Sequence, residues 1–256
     1  MNNIFDSHAH YDDEKYCQDR DETLEKVFSS GVCGIINCGS DIDSSIQSIN
    51  LSKKYDKIYS AVGVHPHSAE DDSDKLNCLE DLIKEEKVVA IGEIGLDYHY
   101  DFSDREIQKS VFEKQLIFAN EHNLPVIIHS REATGDTLCL LKKHKPKGVV
   151  HCFTGSVETA KELVSLGLYI GFGGALTFKN AVKPLQSCEY VPLDRILLET
   201  DCPYMTPVPF RGKRNDSSFI EYTAKKISEI KNIDVQELIN TATNNTLKLF
   251  SIITEV

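Results

Sequence analysis

The sequence predicts an α/β protein built as a single (β/α)8 barrel over residues 1–256. Three observations predict it. Short apolar, β-branched runs alternate with amphipathic stretches throughout the chain. Eight such runs recur at intervals of roughly 20–36 residues, the pacing of a parallel barrel. The turn after the first run holds His8-Ala9-His10, where an open doubly wound sheet would carry a phosphate-binding glycine-rich turn. No domain boundary, repeat or low-complexity tail interrupts the pattern.

The elements follow in order. Ile4–His8 is the first strand. Leu24, Val27 and Phe28 recur at helical spacing in Asp21–Ser30, which Gly31 closes. Val32–Cys38 is the second strand, and Asp41 or Asp43 caps a helix that turns Ile42, Ile46 and Ile49 to one face. Ile58–Val64 is the third strand and runs into His65-Pro66-His67, with a helix expected over Leu76–Glu86. Val88–Ile91 is the fourth strand and delivers Glu93, and a long helix spans about 104–123. Leu124–Ile128, Gly148–Val150, Leu168–Phe172 and Arg195–Leu198 are the remaining strands. Helices fall between them over Thr137–His144, Val157–Leu166 and Asn180–Cys188, and Ser218–Ile230 and Val235–Phe250 complete the chain.

At 256 residues, with 41% hydrophobic and 27% charged content, the chain can bury one large core. A formal net charge of -12 excludes a nucleic-acid-coating surface while leaving room for a local basic patch. Eight cysteines without a Cys-x-x-Cys pair read as reduced thiols. Met1-Asn2-Asn3 lacks the basic start of a signal peptide, and no apolar run approaches membrane-spanning length. The expectation is a soluble cytoplasmic protein without a membrane segment or an obligate protein partner.

Barrel active sites form where strands end. Those ends carry His8, His10, His65, Glu93, His129, His151 and Asp201. Residues two apart on a strand point the same way, so His8 and His10 form a pair, with Asp6 close enough to orient one ring. A lone histidine there is more often a hydrogen-bonded core residue. So many titratable groups in one mouth are costly to bury unless cations satisfy them. The metal candidates His8, His10, Glu93, His129, His151 and Asp201 suit two divalent ions (Mg, Mn or Zn) better than one. Glu93, midway around the barrel, is the natural bridge.

His99, His122 and His144 read as solvated, and Cys152 and Cys202 as core thiols. His67 is ambiguous behind Pro66; Glu199 fits ligation and support of a ligand equally; Asp97 suits a cap on the following loop. The basic run at Arg211 to Arg214 reads either as a solvated loop or, above a metal-bearing mouth, as a phosphate clamp.

These residues fall into runs that resemble a known family. Asp6-Ser7-His8-Ala9-His10, Gly63-Val64-His65-Pro66, Gly92-Glu93-Ile94-Gly95-Leu96-Asp97, His129-Ser130-Arg131, His151-Cys152-Phe153-Thr154-Gly155 and Glu199-Thr200-Asp201-Cys202-Pro203-Tyr204 look like successive motifs of the TatD metal-dependent deoxyribonucleases. The likeness continues through Pro207 to Asn215 and closes at Asn245 to Phe250. It implies an amidohydrolase-type TIM barrel, two divalent ions and 3′→5′ exonuclease action on DNA, with single-stranded or frayed ends as substrate. It further implies His8, His10, Glu93 and Asp201 on one ion, and Glu93, His129 and His151 on the other. The catalytic set is then Asp201, Glu93 and His65: Asp201 orients a metal-activated hydroxide, and His65 with Arg211 or Arg214 meets the substrate phosphate.

One departure concerns the substrate-facing loop: the family pattern Arg-Asn-Glu-Pro is here Arg214-Asn215-Asp216-Ser217. A second reading keeps the metals and changes the bond, making the protein a D-aminoacyl-tRNA deacylase or other ester hydrolase. A glycosidase pair of Glu93 and Asp201 leaves the inward histidines unexplained. A binding scaffold that merely retains metal finds no support, because no ligand position is replaced.

Overall fold

The structure, a computed structural model, describes residues 1–253. The first half comprises β1 (Ile4–Ala9), α1 (Arg20–Ser29), β2 (Val32–Cys38), α2 (Ile42–Lys54), β3 (Ile58–Val62), α3 (Ala69–Asp72), α4 (Leu79–Leu82), β4 (Val88–Asp97) and α5 (Arg105–Glu121). It continues with β5 (Val126–Arg131), α6 (Thr134–His144), β6 (Gly148–Val150), α7 (Val157–Ser165), β7 (Tyr169–Phe172), α8 (Val182–Tyr190), β8 (Ile196–Leu198), α9 (Ile220–Lys231) and α10 (Val235–Leu249). Among the described residues eight strands pair in parallel in sequence order. The ring closes where His10 N–H donates to the Cys202 carbonyl at 2.8 Å and Asp201 N–H to the His8 carbonyl at 3.0 Å. The expected (β/α)8 barrel is therefore the observed fold.

Strand alternation sorts the core into two layers. Phe5, Ile36, Ala61, Ala90, Ile127, Val149, Tyr169 and Leu197, one from each strand, pack together inside the barrel, and Phe250 and Ile252 just after α10 close its base. Their neighbours Ile4, Ile35, Val62, Ile91, Ile128, Val150, Ile170 and Leu198 face outward onto the helices. Each fully buried aliphatic side chain of this kind is worth about 1.5–3 kcal/mol. Counting two or four residues on from the inner layer gives the mouth: His65, His129 and Arg131, His151, Glu199 and Asp201.

β1 and β4 need an irregularity to join in. Register shifts fall between Asp6 and Ala9 and between Ile91 and Ile94. Each such shift re-aims the side chains beyond it. Here that carries His8, His10 and Glu93 inward. On β7 the inward position is Gly171, where a Cβ would collide with the Glu199 carboxylate.

Two expectations change. Residues 76–86 form a 3-10 turn over Leu76–Cys78 and the single turn α4 rather than one helix. Leu79 is buried there with Leu76, Leu82 and Ile83 packed half-buried against the core, but the backbone is held by i+3 bonds such as Glu85 N–H to the Leu82 carbonyl rather than by a continued α-helical ladder. The fourth strand runs six residues further than Ile91, pairing Gly95 with His129 and Asp97 with Arg131 on β5. Glu93, His129 and Arg131 thus stand on paired strands and not on loops.

Candidate metal centre

His8, His10, His65, Glu93, His129, His151 and Asp201 meet at the mouth of the barrel. Glu93 lies at the centre of the group. Its Oε1 is 2.8 Å from His151 Nε2, 2.9 Å from His129 Nδ1 and 3.5 Å from His65 Nε2. Its Oε2 is 3.3 Å from His8 Nε2 and 3.4 Å from His10 Nε2. Asp201 Oδ1 closes on the same pair at 3.7 and 3.5 Å. Three sets of donor atoms lie within 4.8 Å of one another: His8, His10 and Asp201; His8, Glu93 and His151; His65, Glu93 and His129. His129 Nδ1 and His151 Nε2 also lie 3.2 Å apart, both on Glu93 Oε1, while His151 sits with His8 as well, ring on ring at 3.9 Å, and His65 joins His129.

Hydrogen bonds outside the cluster decide which ring nitrogens are free. His10 Nδ1 lies 2.8 Å from the Cys38 carbonyl, which fixes the proton there and leaves Nε2 a lone pair. His129 Nε2 donates to Asp97 Oδ2 at 3.1 Å and leaves Nδ1 facing Glu93. His65 is set the other way. Its Nδ1 accepts the His67 N–H at 3.2 Å, so the neutral ring carries its proton on Nε2, the atom that faces the cluster. A protonated nitrogen donates a hydrogen bond and cannot ligate. That separates His65 from His10 and His129.

Burial dominates the protonation states. It lowers His8 to about 4 and His65 well below the imidazole range. Burial alone would also raise Glu93 and Asp201, but the surrounding rings hold both carboxyls below their ordinary values. His10, His129 (about 9) and His151 are raised despite burial, by hydrogen bonds and charge from Asp201, Asp97 and Glu93. Ionised carboxylates facing lone pairs on buried imidazoles are the donor set of a divalent-cation site. The residues fit such ions, and binding them must expel the protons on the raised rings.

Other residues hold this arrangement. Asp97 accepts from His129 and, at 3.0 Å, from His67 Nε2 through Oδ2, while Oδ1 accepts the N–H groups of His99 and Tyr100. It caps the loop as expected and also orients a ring, which the sequence reading missed. Glu199 is fully buried, bonds the Cys152 N–H, and stands 3.9 Å from His151 Nδ1. Burial pushes it up to about 8. It lies behind the ring, away from the other donor atoms. Asp6 does not reach an imidazole. Its oxygens take the N–H groups of His8 and Thr200 and the hydroxyls of Thr200 and Ser217, tying β1 to the segment after β8.

The cavity over the cluster encloses about 580 Å³, and Asp12, Asp13, His67, Tyr100, Arg131 and Tyr204 are among its walls. Arg211 and Arg214, expected as its phosphate clamp, do not line it. Arg211 stacks 3.9 Å over the Phe178 ring and donates to the Thr206 carbonyl. Arg214 is bidentate to Asp19 at 2.6 and 2.7 Å and lies over Tyr16, fastening its loop to the start of α1. The guanidinium at the mouth belongs to Arg131. Strand alternation carries the signal for it, two residues beyond His129.

Comparison with known proteins agrees with this geometry. The model for TatD related DNase matches residues 5–251. The chain belongs to the TatD family. YabD of Bacillus subtilis (strain 168), named an uncharacterized metal-dependent hydrolase, is 44% identical, with 97% of this chain and 99% of YabD covered. The 3′-5′ ssDNA/RNA exonuclease TatD of Erwinia tasmaniensis is 32% identical, with 97% and 100% covered. The crystal structure of YjjV, a TatD homologue from Escherichia coli K12, superposes with a TM-score of 0.93 at 33% identity, covering 98% of this chain and 99% of YjjV.

This chain is thus a TatD-family metal-dependent hydrolase, and its departure from the family pattern has a structural counterpart. Ser217, where the family has proline, donates its N–H to Tyr11 Oη at 2.9 Å and its hydroxyl to Asp6 Oδ2 at 2.6 Å. Proline can make neither bond. Asp216 accepts from the Ser218 N–H and caps the following turn. The substituted dipeptide is therefore wired into the β1–β8 seam. No helix among the described residues of this TatD protein is long and apolar enough to cross a membrane.

Proposed function

We propose that this TatD protein is a divalent-metal-dependent phosphodiesterase that trims single-stranded or frayed DNA from its 3′ end. The observation that carries the reading is the split among the rings. Those of His8, His10, His129 and His151 turn nitrogens onto Glu93 and Asp201; where an outside hydrogen bond fixes the neutral ring's proton, His10 and His129 leave a lone pair facing that space whereas His65 aims an N–H into it.

Two ions would be held by His8, His10 and Asp201 on one side and His129 and His151 on the other, with Glu93 between them. Such ions supply Lewis acidity and bring the pKa of water toward neutrality. Asp201, with Oδ1 turned to the cluster, accepts the proton of the attacking water. His65 donates from Nε2 to a phosphoryl oxygen, stabilising charge that grows in the transition state. Arg131 at the rim meets a neighbouring phosphate. Asp97 keeps His129 in its working tautomer. With all eight cysteines free, a reducing compartment such as the cytoplasm suits the protein.

The test is cleavage of a 5′-labelled oligonucleotide by chelated protein titrated with Mg²⁺, Mn²⁺ and Zn²⁺, beside D-aminoacyl-tRNA under the same conditions. Metal-restored shortening from the 3′ end, abolished in Glu93→Ala, is the expected result. Release of the amino acid alone would replace this reading with the deacylase, and full activity in chelator would refute both.

A further inference from the structure

We propose that Phe102 and Tyr100 form a stacking platform for a base of the single-stranded substrate, an inference that rests on the phosphodiesterase reading above. Both side chains face solvent, Phe102 at 65% and Tyr100 at 50% exposure. Their rings lie parallel, 7° apart in plane with centroids at 5.2 Å. His67 meets both edge-on, and the Arg131 guanidinium lies 4.8 Å over Tyr100. Scattered exposed apolar residues need no explanation, but a contiguous set at the lip of a cavity marks a binding surface. Tyr100 lines the cavity over the cluster, so the stack begins at the site and leads outward.

The segment that carries these rings is held from several directions. Asp97 accepts the Tyr100 N–H, and Ser103 Oγ donates to the His67 carbonyl while accepting the Glu70 N–H. Gln108 Nε2 then ties down the carbonyls of Asp97 and Ser103. The platform is thus built before substrate arrives. Asp97 also holds His129, so one carboxylate sets the distance from the stack to the reacting phosphate.

Charge explains why a stack is needed. The protein carries a net charge of -12, and Asp12 and Asp13 stand in the cavity wall. Phosphate attraction away from the bound cations is therefore weak. Base stacking on aromatic faces is insensitive to that repulsion and tolerant of sequence. A paired base has its face covered by its neighbours, so the same platform favours single strands over duplex.

The experiment compares wild type, Phe102→Ala, Tyr100→Ala and the conservative Phe102→Tyr on oligothymidylate and on an oligomer of equal length with abasic residues near its 3′ end. Each ring removed should raise KM on oligothymidylate about tenfold, the usual weight of one stacked base, with kcat within about twofold. Phe102→Tyr should restore KM. On the abasic oligomer the variants and wild type should match. Binding of a labelled phosphorothioate oligothymidylate, read by anisotropy in Mn²⁺, should weaken by the same factor, and this arm judges the platform whether or not cleavage occurs. Unchanged binding in both alanine variants, or an equal loss on the abasic oligomer, would overturn the platform. Failure of wild type to cleave any oligonucleotide would instead overturn the phosphodiesterase reading.

Discussion

Asp97→Asn isolates the role of a single hydrogen bond in the metal site. The carboxylate accepts four bonds: His99 N–H at 2.9 Å, Tyr100 N–H at 3.1 Å, His67 Nε2 at 3.0 Å and His129 Nε2 at 3.1 Å. Asparagine can keep the two backbone bonds through Oδ1. Its NH2 group then faces His129 Nε2, and a donor cannot face a donor. His129 must move its proton to Nδ1, which lies 2.9 Å from Glu93 Oε1 and is the only nitrogen turned to the cluster. The lone pair needed for the cation is gone.

The expected cost is about 10–100-fold in Mn²⁺ affinity, the range seen when a partner behind a metal-bound histidine is lost. Stability should fall by only about 1–2 kcal/mol, because the exchange weakens charge-assisted bonds without leaving a buried amide unpaired. Asp97→Ala strands both loop amides and should cost more than about 2 kcal/mol in addition. Titration calorimetry with Mn²⁺ and urea melts on the two variants read these quantities. Wild-type metal affinity in Asp97→Asn would refute the tautomer argument, leaving Asp97 a loop cap alone. The pH dependence has a definite sign. Burial would raise Asp97, yet bonds from His129, Tyr100 and His67 hold it well below its ordinary value. Its contribution is therefore present above about pH 4 and is lost as the medium becomes strongly acid.

Ser217→Ala removes a buried bond to a carboxylate and should destabilise the fold by about 1–3 kcal/mol. Ser217→Pro, which restores the family residue, should lose at least as much because the Tyr11 hydroxyl loses its N–H donor too; urea melts read both, and a neutral result would show that the seam tolerates either residue. Asp6 is raised to about 6, chiefly by burial and against bonds from Ser217, Thr200 and His8. Its stabilising share is then full below about pH 4 and fades through pH 6, a loss of about 3 kcal/mol that Asp6→Asn escapes. Melts in chelator at pH 4.5 and 7.5 should show the variant gaining on wild type at the higher pH; parallel curves would contradict this. Because His10, His129 and His151 are raised, Mn²⁺ binding should release protons and weaken with acid. Calorimetry in buffers of different ionisation enthalpy measures that release, and a buffer-independent heat would exclude it.

What the sequence made legible follows from period-two alternation and strand order. His65, His129, His151 and Asp201 lie two or four residues beyond apolar inward positions, so fixing the barrel fixes where they meet. His8, His10 and Glu93 meet them only through register shifts in β1 and β4, which no alternation rule foretells; chemistry suggested them where geometry could not. The absence of Arg211 and Arg214 from the cavity wall has a related cause. Arg211 and Arg214 sit on a loop whose course depends on Phe178 and Asp19, residues far away in the chain. Arg131 stands on a strand whose facing was already decided. The tautomers lay deepest. Whether His10, His65 or His129 offers a lone pair or a proton depends on the Cys38 carbonyl, the His67 N–H and the Asp97 carboxylate. Three histidines identical in the sequence thereby acquire two opposite chemical roles, and the residues that assign those roles are the ones a list of ligands omits.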